Sequence, residues 1–397
     1  MKKTCVYTTT MMMSMLSTVI LLGSICLWSC TGPVVNLGAL VGLTGGASSA
    51  GESVSAALKI AVEDVNAYLA VNGAAFTIEV TEQDTGSDPQ TALEAAKDFA
   101  AQGINIVIGP QTSEEVAHLL SYVNTNSILL ISQATAAFLA IEDDSLFRLV
   151  TDDRGQAKEV AETMKGDGLE VIVPVYRYDV YATNLLSLTG EAFEELGGTI
   201  GDGVNYDVDA TDYTDTVASL SDAVAAAIDT HGAAAVGVYV VAFEEAVELF
   251  KAAQDDPVLT LVAWYGSDSL ALDAALLADE DAAQFAADRL LLCPMFKSEG
   301  DNADEISAEI KAVIGRTPET DALQAYDAVW ISALTYLGTG LTADNETLKA
   351  TLPEVAATYS GVTGSTKLND AGDRASGSYT FWAIEEQGGS LQWVMQD

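Results

Sequence analysis

The feature that most constrains the fold of this sequence is a repeated alternation of short apolar runs with stretches of helical periodicity. In the first part of the chain these apolar runs and helical patterns alternate at residues 37–43, 53–69, 77–81, 91–101, 104–108, 113–123 and 128–131. Runs of about four to eight residues rich in Val, Ile and Leu are typical of strands buried on both faces. The alternation therefore predicts a parallel sheet covered by helices.

A second series of the same kind begins near Asp152. Its helical patterns and apolar runs lie at 156–164, 171–175, 181–196, 213–228, 235–241, 243–253, 259–264, 270–278 and 290–294. Two series predict an α/β protein with two doubly wound parallel-sheet lobes. No long linker separates them, so we expect the chain to cross a hinge several times. Pro174 inside one predicted strand is unexpected, because proline cannot donate a ladder hydrogen bond.

The N-terminal segment predicts export and a lipid anchor. Lys2 and Lys3 precede an apolar run at 11–28, and Cys30 follows a small residue. This order is typical of a lipoprotein signal peptide, here residues 1–29, with Cys30 lipidated at the cleavage site. The alternative is an uncleaved helix, since about 18–20 apolar residues can span a bilayer. Both interpretations place the remaining chain outside the cytoplasm and attached to a membrane, in a periplasm or at a cell surface.

The charge and the cysteine content of the chain limit its binding partners and its covalent cross-links. The chain has 17 Lys and Arg residues against 58 Asp and Glu residues, a formal charge of −41. Because phosphate binding needs clustered Lys and Arg, we expect no nucleic-acid partner. Cys293 is the only cysteine after Cys30, which excludes an intrachain disulfide in the mature chain. Its apolar neighbours predict a buried thiol.

The motifs of common enzymes are missing from the sequence. It contains no GxxxxGK[ST] and no GxSxG pattern. The loop at 42–46 follows a predicted strand but lacks GxGxxG spacing and a basic residue. His118 and His231 are the only histidines, too few for a zinc site or a catalytic triad with its partners. We therefore expect a binding protein rather than an enzyme, with no catalytic residue, metal or cofactor.

The loops that follow the predicted strands are the expected binding site. Open α/β sheets bind small ligands beyond the carboxyl ends of their strands, and two facing lobes form a cleft that closes by hinge motion. The loops at 109–113 and 132–135 offer hydroxyl and amide groups to an anion. The second lobe offers aromatic walls and an acid at 176–181, 242–243 and 265–268.

At these positions the chain resembles a known family. The resemblance rests on six segments in a characteristic order: Ile108-Gly109-Pro110 with Ser113, Ile131-Ser132 with Ala134-Thr135, Asp179 with Tyr181, Tyr265-Gly266-Ser267-Asp268, Ala325-Tyr326-Asp327-Ala328-Val329-Trp330, and Asn369 with Gly372-Asp373-Arg374-Ala375-Ser376-Gly377 and Tyr379. They are similar to type I periplasmic substrate-binding proteins, and most closely to the branched-chain and hydrophobic amino-acid group that serves ABC importers. The resemblance covers nearly all of residues 34–397.

The resemblance implies a domain organisation and a function. Lobe I would comprise residues 34–151 plus 295–377, and lobe II residues 152–294 plus 378–397. The protein would be a monomer that captures a small-molecule ligand, an amino acid or a relative, and delivers it to an ABC permease.

It also implies roles for single residues. Ser113 and Thr135, with the backbone at Ala134, would hold the carboxylate of the ligand. Asp268, aided by Asp153, would pair with its α-ammonium group. From the second lobe, Tyr181 and Phe243 would close over the ligand.

Other interpretations of these residues stay open. Ser113 is equally suited to be the N-cap of a helix, and Asp268 to cap a helix near Leu270. Tyr181 is alternatively a core aromatic, with Tyr178 or Tyr176 as the lid. Asp153 is alternatively a hinge residue. Many relatives carry a disulfide where this chain has Ser87 and Thr112, and Phe243 stands where a tyrosine is common.

Two rival functions remain within the same fold. A sensor or receptor ectodomain would be expected to carry a second membrane span or a cytoplasmic module, which we do not expect here. A binding protein for amides, urea or aromatic acids would have no use for an ammonium partner at Asp268.

Overall fold

The computed structural model describes residues 32–396. The predicted signal peptide, residues 1–29, and the predicted lipidation site Cys30 lie outside the described residues. Within 32–396, none of the helices combines the length and the apolar character that crossing a membrane requires.

The first sheet is built as the sequence pattern predicts. Its strands and the helices between them are β1 (Val34–Val41), α1 (Ser48–Val71), β2 (Thr77–Asp84), α2 (Pro89–Ala101), β3 (Ile106–Ile108), α3 (Ser113–Asn126), β4 (Leu129–Ser132) and β5 (Leu146–Arg148). The strands are all parallel, in the order β2-β1-β3-β4-β5. In β1, Leu37 and Ala39 pack into the core beneath α1, while Leu40 packs beneath α2 and α3. Both faces are therefore covered, which explains the continuous apolar runs.

The second sheet follows the same plan. Its elements are α4 (Asp153–Gly166), β6 (Val171–Arg177), α5 (Val180–Glu195), β7 (Thr199–Ile200), β8 (Val204–Tyr206), α6 (Thr214–His231), β9 (Val236–Val241), α7 (Ala246–Ala253), β10 (Ala263–Gly266), α8 (Ala274–Ala278) and α9 (Glu280–Asp288). The order is β10-β9-β6, with β7 and β8 sharing the other edge of β6, and every pair is parallel. The predicted fold class, two doubly wound parallel sheets, is confirmed.

The C-terminal part of the chain returns to both sheets. Its elements are β11 (Cys293–Phe296), α10 (Ala303–Ile314), α11 (Thr320–Thr339), α12 (Asn345–Thr358), β12 (Ser360–Gly361), β13 (Gly364–Ser365), β14 (Tyr379–Gln387) and β15 (Ser390–Gln396). Helices α10–α12 pack with α1 in the core of the first sheet. Strands β11, β14 and β15 form an antiparallel ladder that joins the second sheet through a bridge between Leu292 and Tyr265. We call the first sheet with α1–α3 and α10–α12 lobe I, and the second sheet with α4–α9, β11, β14 and β15 lobe II. The domain boundaries stay a prediction, and the one at 294/295 falls inside β11.

Two sequence expectations are modified. The apolar run at 259–264 is a 3-10 turn, Leu259–Leu261, followed by the short strand β10. Asp256 causes this turn, because its Oδ1 accepts hydrogen bonds from the backbone N–H groups of Val258 and Leu259. The expected strand at 290–294 begins only at Cys293, whose free thiol is completely buried, as its apolar neighbours predict.

Pro174 fits into β6 because the strand pairing along one edge of β6 is interrupted at this residue. On one side it lies opposite Tyr239 of β9. On the other side, β7 pairs with Val171 and Ile172, and β8 pairs from Val175 onward. Pro174 therefore occupies the gap between these two short strands, where no donor is required of it.

Candidate functional site

A cavity lies between the carboxyl ends of the two parallel sheets. Lobe I contributes the loops after β1, β3 and β4 and the start of α11, and lobe II contributes the start of α5 and the loops after β9 and β10. The space open to the centres of water-sized groups is about 80 Å³. One water needs roughly 10–15 Å³ on this measure, so the cavity has room for a small organic molecule.

The lobe I side of the cavity presents hydroxyl groups at the start of a helix. Thr112 is the N-cap of α3, since its Oγ1 accepts a hydrogen bond from the backbone N–H of Glu115 at 3.3 Å. Ser113 is therefore not the cap. It lines the cavity, and its Oγ accepts a hydrogen bond from the backbone N–H of Ala136 at 3.2 Å. Thr135 lines the same cavity. The start of a helix beside two hydroxyls is a favourable place for a carboxylate.

The backbone of Ala134 forms hydrogen bonds within lobe I. Its backbone N–H donates to the Oγ of Ser132 at 3.0 Å, and its carbonyl accepts from Nη1 of Arg148 at 3.2 Å. The residue is 2% exposed and is not part of the cavity wall. Both backbone groups of Ala134 thus have partners within lobe I, and the expectation that it holds a carboxylate stays a prediction.

Asp268 is one of two acids that lobe II places in the cavity wall, the other being Asp273. Its Oδ1 accepts hydrogen bonds from the hydroxyl of Tyr181 at 2.5 Å and from the backbone N–H of Ser269 at 3.0 Å. It starts a single 3-10 turn, and the next helix, α8, begins only at Ala274, so Asp268 does not cap it. Withdrawal from bulk water raises the pKa of the Asp268 carboxyl. A bound ammonium group would reverse this shift by providing a counter-charge.

Asp153 lies behind the cavity wall rather than in it. Its side chain is completely buried, and its backbone N–H donates to the carbonyl of Thr135 at 2.8 Å. Burial and then the charge of Asp268 raise the pKa of its carboxyl. The expected contact of Asp153 with a ligand stays a prediction. Its position at the start of α4, directly after the first lobe crossing, fits the hinge alternative and supports the loop that carries Thr135.

The aromatic wall is formed by Tyr181 and Phe243, both from lobe II. Their rings stack with centroids 5.5 Å apart and an interplanar angle of 11°. The guanidinium of Arg177 lies over the outer face of this stack, 4.3 Å from the centroid of Phe243. Tyr181 is 4% exposed, whereas Tyr178 is 67% exposed and lines only the outer cleft. Tyr181 rather than Tyr178 is thus the aromatic side chain that faces the enclosed space.

Hydrogen bonds between the lobes close the mouth of this cavity. The carboxylate Oε1 of Glu244 in lobe II accepts from the Oγ of Ser48 at 2.6 Å and from the backbone N–H of Ser49 at 2.7 Å. On the far side, Oδ1 of Asn184 accepts from the backbone N–H of Ala137 at 2.8 Å. The structure is therefore in a closed arrangement, held by contacts that a hinge opening would break.

Several wall residues were not anticipated from the sequence. They are polar side chains of lobe I in three groups: Gln111 and Gln133 in the strand-end loops, Glu319 before α11, and Asp321 and Gln324 in its first turns. Gln111 and Gln133 belong to strand-end loops that the sequence indicated as the binding site. The prediction named the hydroxyl residues of these loops, Ser113 and Thr135, and not the glutamines. The α11 residues follow no strand, and no sequence signal connects them to the cleft.

Comparison with known proteins identifies relatives over nearly the whole chain. Residues 53–387 match the family described as "Receptor family ligand binding region". An uncharacterized protein of Methanocaldococcus jannaschii is 31% identical over 377 residues, which cover 90% of this chain and 88% of that protein. The Leu/Ile/Val-binding protein homolog 2 of Brucella abortus is 28% identical over 189 residues, 46% of this chain and about half, 49%, of that protein.

Solved structures share the fold. The branched-chain amino acid transporter substrate-binding protein LivJ of Streptococcus pneumoniae, in complex with isoleucine, superposes with a TM-score of 0.73 at 19% identity, covering 91% of this chain and 100% of that one. A solute-binding protein of an ABC transporter from R. palustris, in complex with benzoate, gives a TM-score of 0.72 at 18% identity, covering 91% and 96%. At this level of identity the likeness establishes the two-lobed architecture.

Proposed function

The chain belongs to the family of receptor ligand-binding regions and has the fold of the type I periplasmic binding proteins, and from this we propose that it is the substrate-binding protein of an ABC importer. In this proposal it captures an amino acid, branched-chain or similar, between its lobes outside the cytoplasm. Lipidation at Cys30 would keep it at the membrane as a monomer, beside the permease that receives the ligand.

The observation that carries the proposal is the pairing of opposite polarities across one cavity. Lobe I contributes the hydroxyls of Ser113 and Thr135 at the start of α3, and lobe II contributes the carboxylate of Asp268. An α-amino acid carries a carboxylate and an ammonium group on the same carbon, so it complements both sides together. A ligand of this kind contacts both lobes and favours the closed state over the open state by its differential affinity.

Ligands without an ammonium group fit this cavity less well. Benzoate, which the R. palustris protein binds, would leave the Asp268 carboxylate enclosed without a counter-charge. Leaving a buried charge unpaired typically costs about 3–5 kcal/mol. Amides and urea donate hydrogen bonds but carry no charge. They are the second group of compounds to be compared with amino acids.

A thermal-shift screen tests the proposal. The purified protein is heated with each of a set of amino acids, amides, ureas and aromatic acids. A ligand present at about 100 times its Kd adds roughly 2.7 kcal/mol to the free energy of unfolding, which raises the melting temperature visibly. We expect stabilisation by one or more α-amino acids and none by the corresponding carboxylic acids that lack the amino group. Stabilisation by amides or aromatic acids alone, or by no compound, would contradict the amino-acid assignment.

A further inference from the structure

The start of helix α11 adds a second group of acceptors to the cavity wall. Glu319 precedes the helix, and Asp321 and Gln324 lie in its first turns, three residues apart. Side chains with this spacing lie on the same face of a helix. The chain reaches this position only after crossing back from lobe II, so these acceptors belong to a different part of lobe I from Ser113 and Thr135.

Of the four carboxylates in the cavity wall, three already have protein partners. Glu319 pairs with Nη1 of Arg316 at 2.9 Å and accepts a hydrogen bond from the Oγ of Ser49 at 2.5 Å. Asp273 caps α8, since its Oδ1 accepts from the backbone N–H of Leu276 at 2.6 Å. Asp268 accepts hydrogen bonds from Tyr181 and Ser269, as described above. The fourth carboxylate is that of Asp321.

Asp321 differs from the other three acids in having no partner. Within residues 32–396 its carboxylate receives no hydrogen bond and forms no ion pair. Burial, followed by the charges of Asp268 and Glu319, raises the pKa of Asp321 to about 8. No Lys or Arg side chain is part of the cavity wall. This end of the cavity is therefore short of positive charge.

Two buried glutamines in the cavity wall also have polar atoms without partners in residues 32–396, which is an observation independent of the acids. Gln324 is 2% exposed and Gln133 is 4% exposed, both line the cavity, and Oε1 of each has no hydrogen-bond partner among the described residues. A buried polar group without a partner costs about 1–3 kcal/mol, and native proteins retain few of them. The oxygens of these two amides can accept hydrogen bonds from a ligand donor, whereas Nε2 of Gln111 in the same wall also has no partner in the part of the chain that the structure describes and requires an acceptor. The three amides therefore indicate a polar ligand that carries both donors and acceptors.

The nature of that donor follows from the surroundings. Within the described part of the chain, no group of three or more His, Cys, Asp or Glu side chains is placed to hold a metal ion. A purely aliphatic side chain would satisfy neither Asp321 nor the two glutamines. A terminal ammonium or guanidinium group has several N–H donors and a positive charge, and so matches an acid flanked by amide oxygens.

We propose that Asp321 and Gln324 form a second cation subsite, so that the preferred ligand is an amino acid with a positively charged side-chain terminus rather than a branched-chain one. This proposal rests on the amino-acid function proposed above and defines the substrate class of the same cavity. Asp268 binds the α-ammonium group, and Asp321 binds the terminal cation of the side chain.

Calorimetric titration of the full chain tests the subsite with matched ligands. Lysine and norleucine share the same straight carbon skeleton, and norleucine lacks only the terminal amine. Because a hydrogen bond to a charged group contributes about 1.5–3 kcal/mol, lysine should bind roughly tenfold or more tightly than norleucine. In Asp321→Asn this ratio should fall toward one. The control Asp304→Asn removes an exposed acid from the first turn of α10 and should keep the ratio.

The outcomes separate the subsite from the function on which it rests. If norleucine or leucine binds as tightly as lysine, the amino-acid function stands and the cation subsite is refuted. If Asp321→Asn keeps the wild-type ratio, Asp321 is not the partner of the side-chain cation and the proposal is also refuted. If no amino acid binds, both proposals fail together. The comparison of lysine with norleucine on the wild-type protein tests the cation subsite even if the Asp321→Asn variant does not fold.

Discussion

The sharpest prediction concerns Asp268, the lobe II acid proposed to bind the α-ammonium group of the ligand. The substitution Asp268→Asn keeps the size of the side chain and removes its charge. An enclosed ammonium group that loses its counter-charge typically costs about 3–5 kcal/mol. Since about 1.4 kcal/mol corresponds to a factor of ten, the Kd of the best amino-acid ligand should rise roughly 140-fold to 3,700-fold.

The same substitution should leave the ligand-free protein at least as stable as before. Asp153 lies close to Asp268, and the charge of Asp268 contributes to the raised pKa of Asp153. An amide at position 268 removes this repulsion between two carboxylates. It also keeps an acceptor oxygen for the Tyr181 hydroxyl, which now donates at 2.5 Å. We therefore expect a melting temperature at pH 8 that is equal to or above that of the wild type.

Isothermal titration calorimetry measures the first effect, and thermal unfolding followed by circular dichroism measures the second. Asp304→Asn serves as the control, because it removes one acid at an exposed site of α10 and should alter neither quantity. A change in Kd of less than about fivefold would refute the argument, because leaving an enclosed ammonium group without its counter-charge should weaken binding far more than this. A variant that loses both binding and stability would instead assign Asp268 to the fold.

The remaining predictions address closure, pH and the anchor. Glu244→Ala removes two hydrogen bonds between the lobes, at 2.6 and 2.7 Å, so the Kd should rise roughly fivefold to thirtyfold, and small-angle scattering should detect a more open ligand-free protein. Asp321 keeps its proton up to a pKa of about 8 in the folded protein, whereas its ordinary pKa is 3.8. The folded state thus binds more protons between these values, and the contribution of Asp321 to stability falls as the pH rises through them. The decrease in melting temperature from about pH 5 to pH 8.5 should therefore be smaller in Asp321→Asn than in the wild type, and equal decreases would contradict this reasoning. Cys30→Ser should abolish lipid labelling and release the protein from the membrane fraction, whereas retention without lipid would favour an uncleaved helix.

Much of the site was predictable because strand ends in a parallel sheet converge. The apolar runs locate the strands, and the residues after them must then lie at one edge of each sheet. The loops located in this way contain Ser113, Thr135, Tyr181, Phe243 and Asp268, which the family resemblance singled out, and all five line the cavity. Their roles toward a ligand stay proposals. Ala134 belongs to the same loop as Thr135, but the rule does not say which groups of a loop face the cleft. Asp153 lies outside these loops, at the start of α4.

What the sequence by itself determined is therefore the α/β architecture and the loops that form the cleft, because both depend on local periodicity. Only the tertiary structure decided which polar groups in those loops already have partners, as Ala134 does through Ser132 and Arg148. It also brought Asp321 and Gln324 to a cavity whose other walls lie far away in the sequence. Helix periodicity predicts the face on which these two residues lie. It does not predict what that face meets, because the return of the chain from lobe II to lobe I depends on long-range packing of α11 against α1.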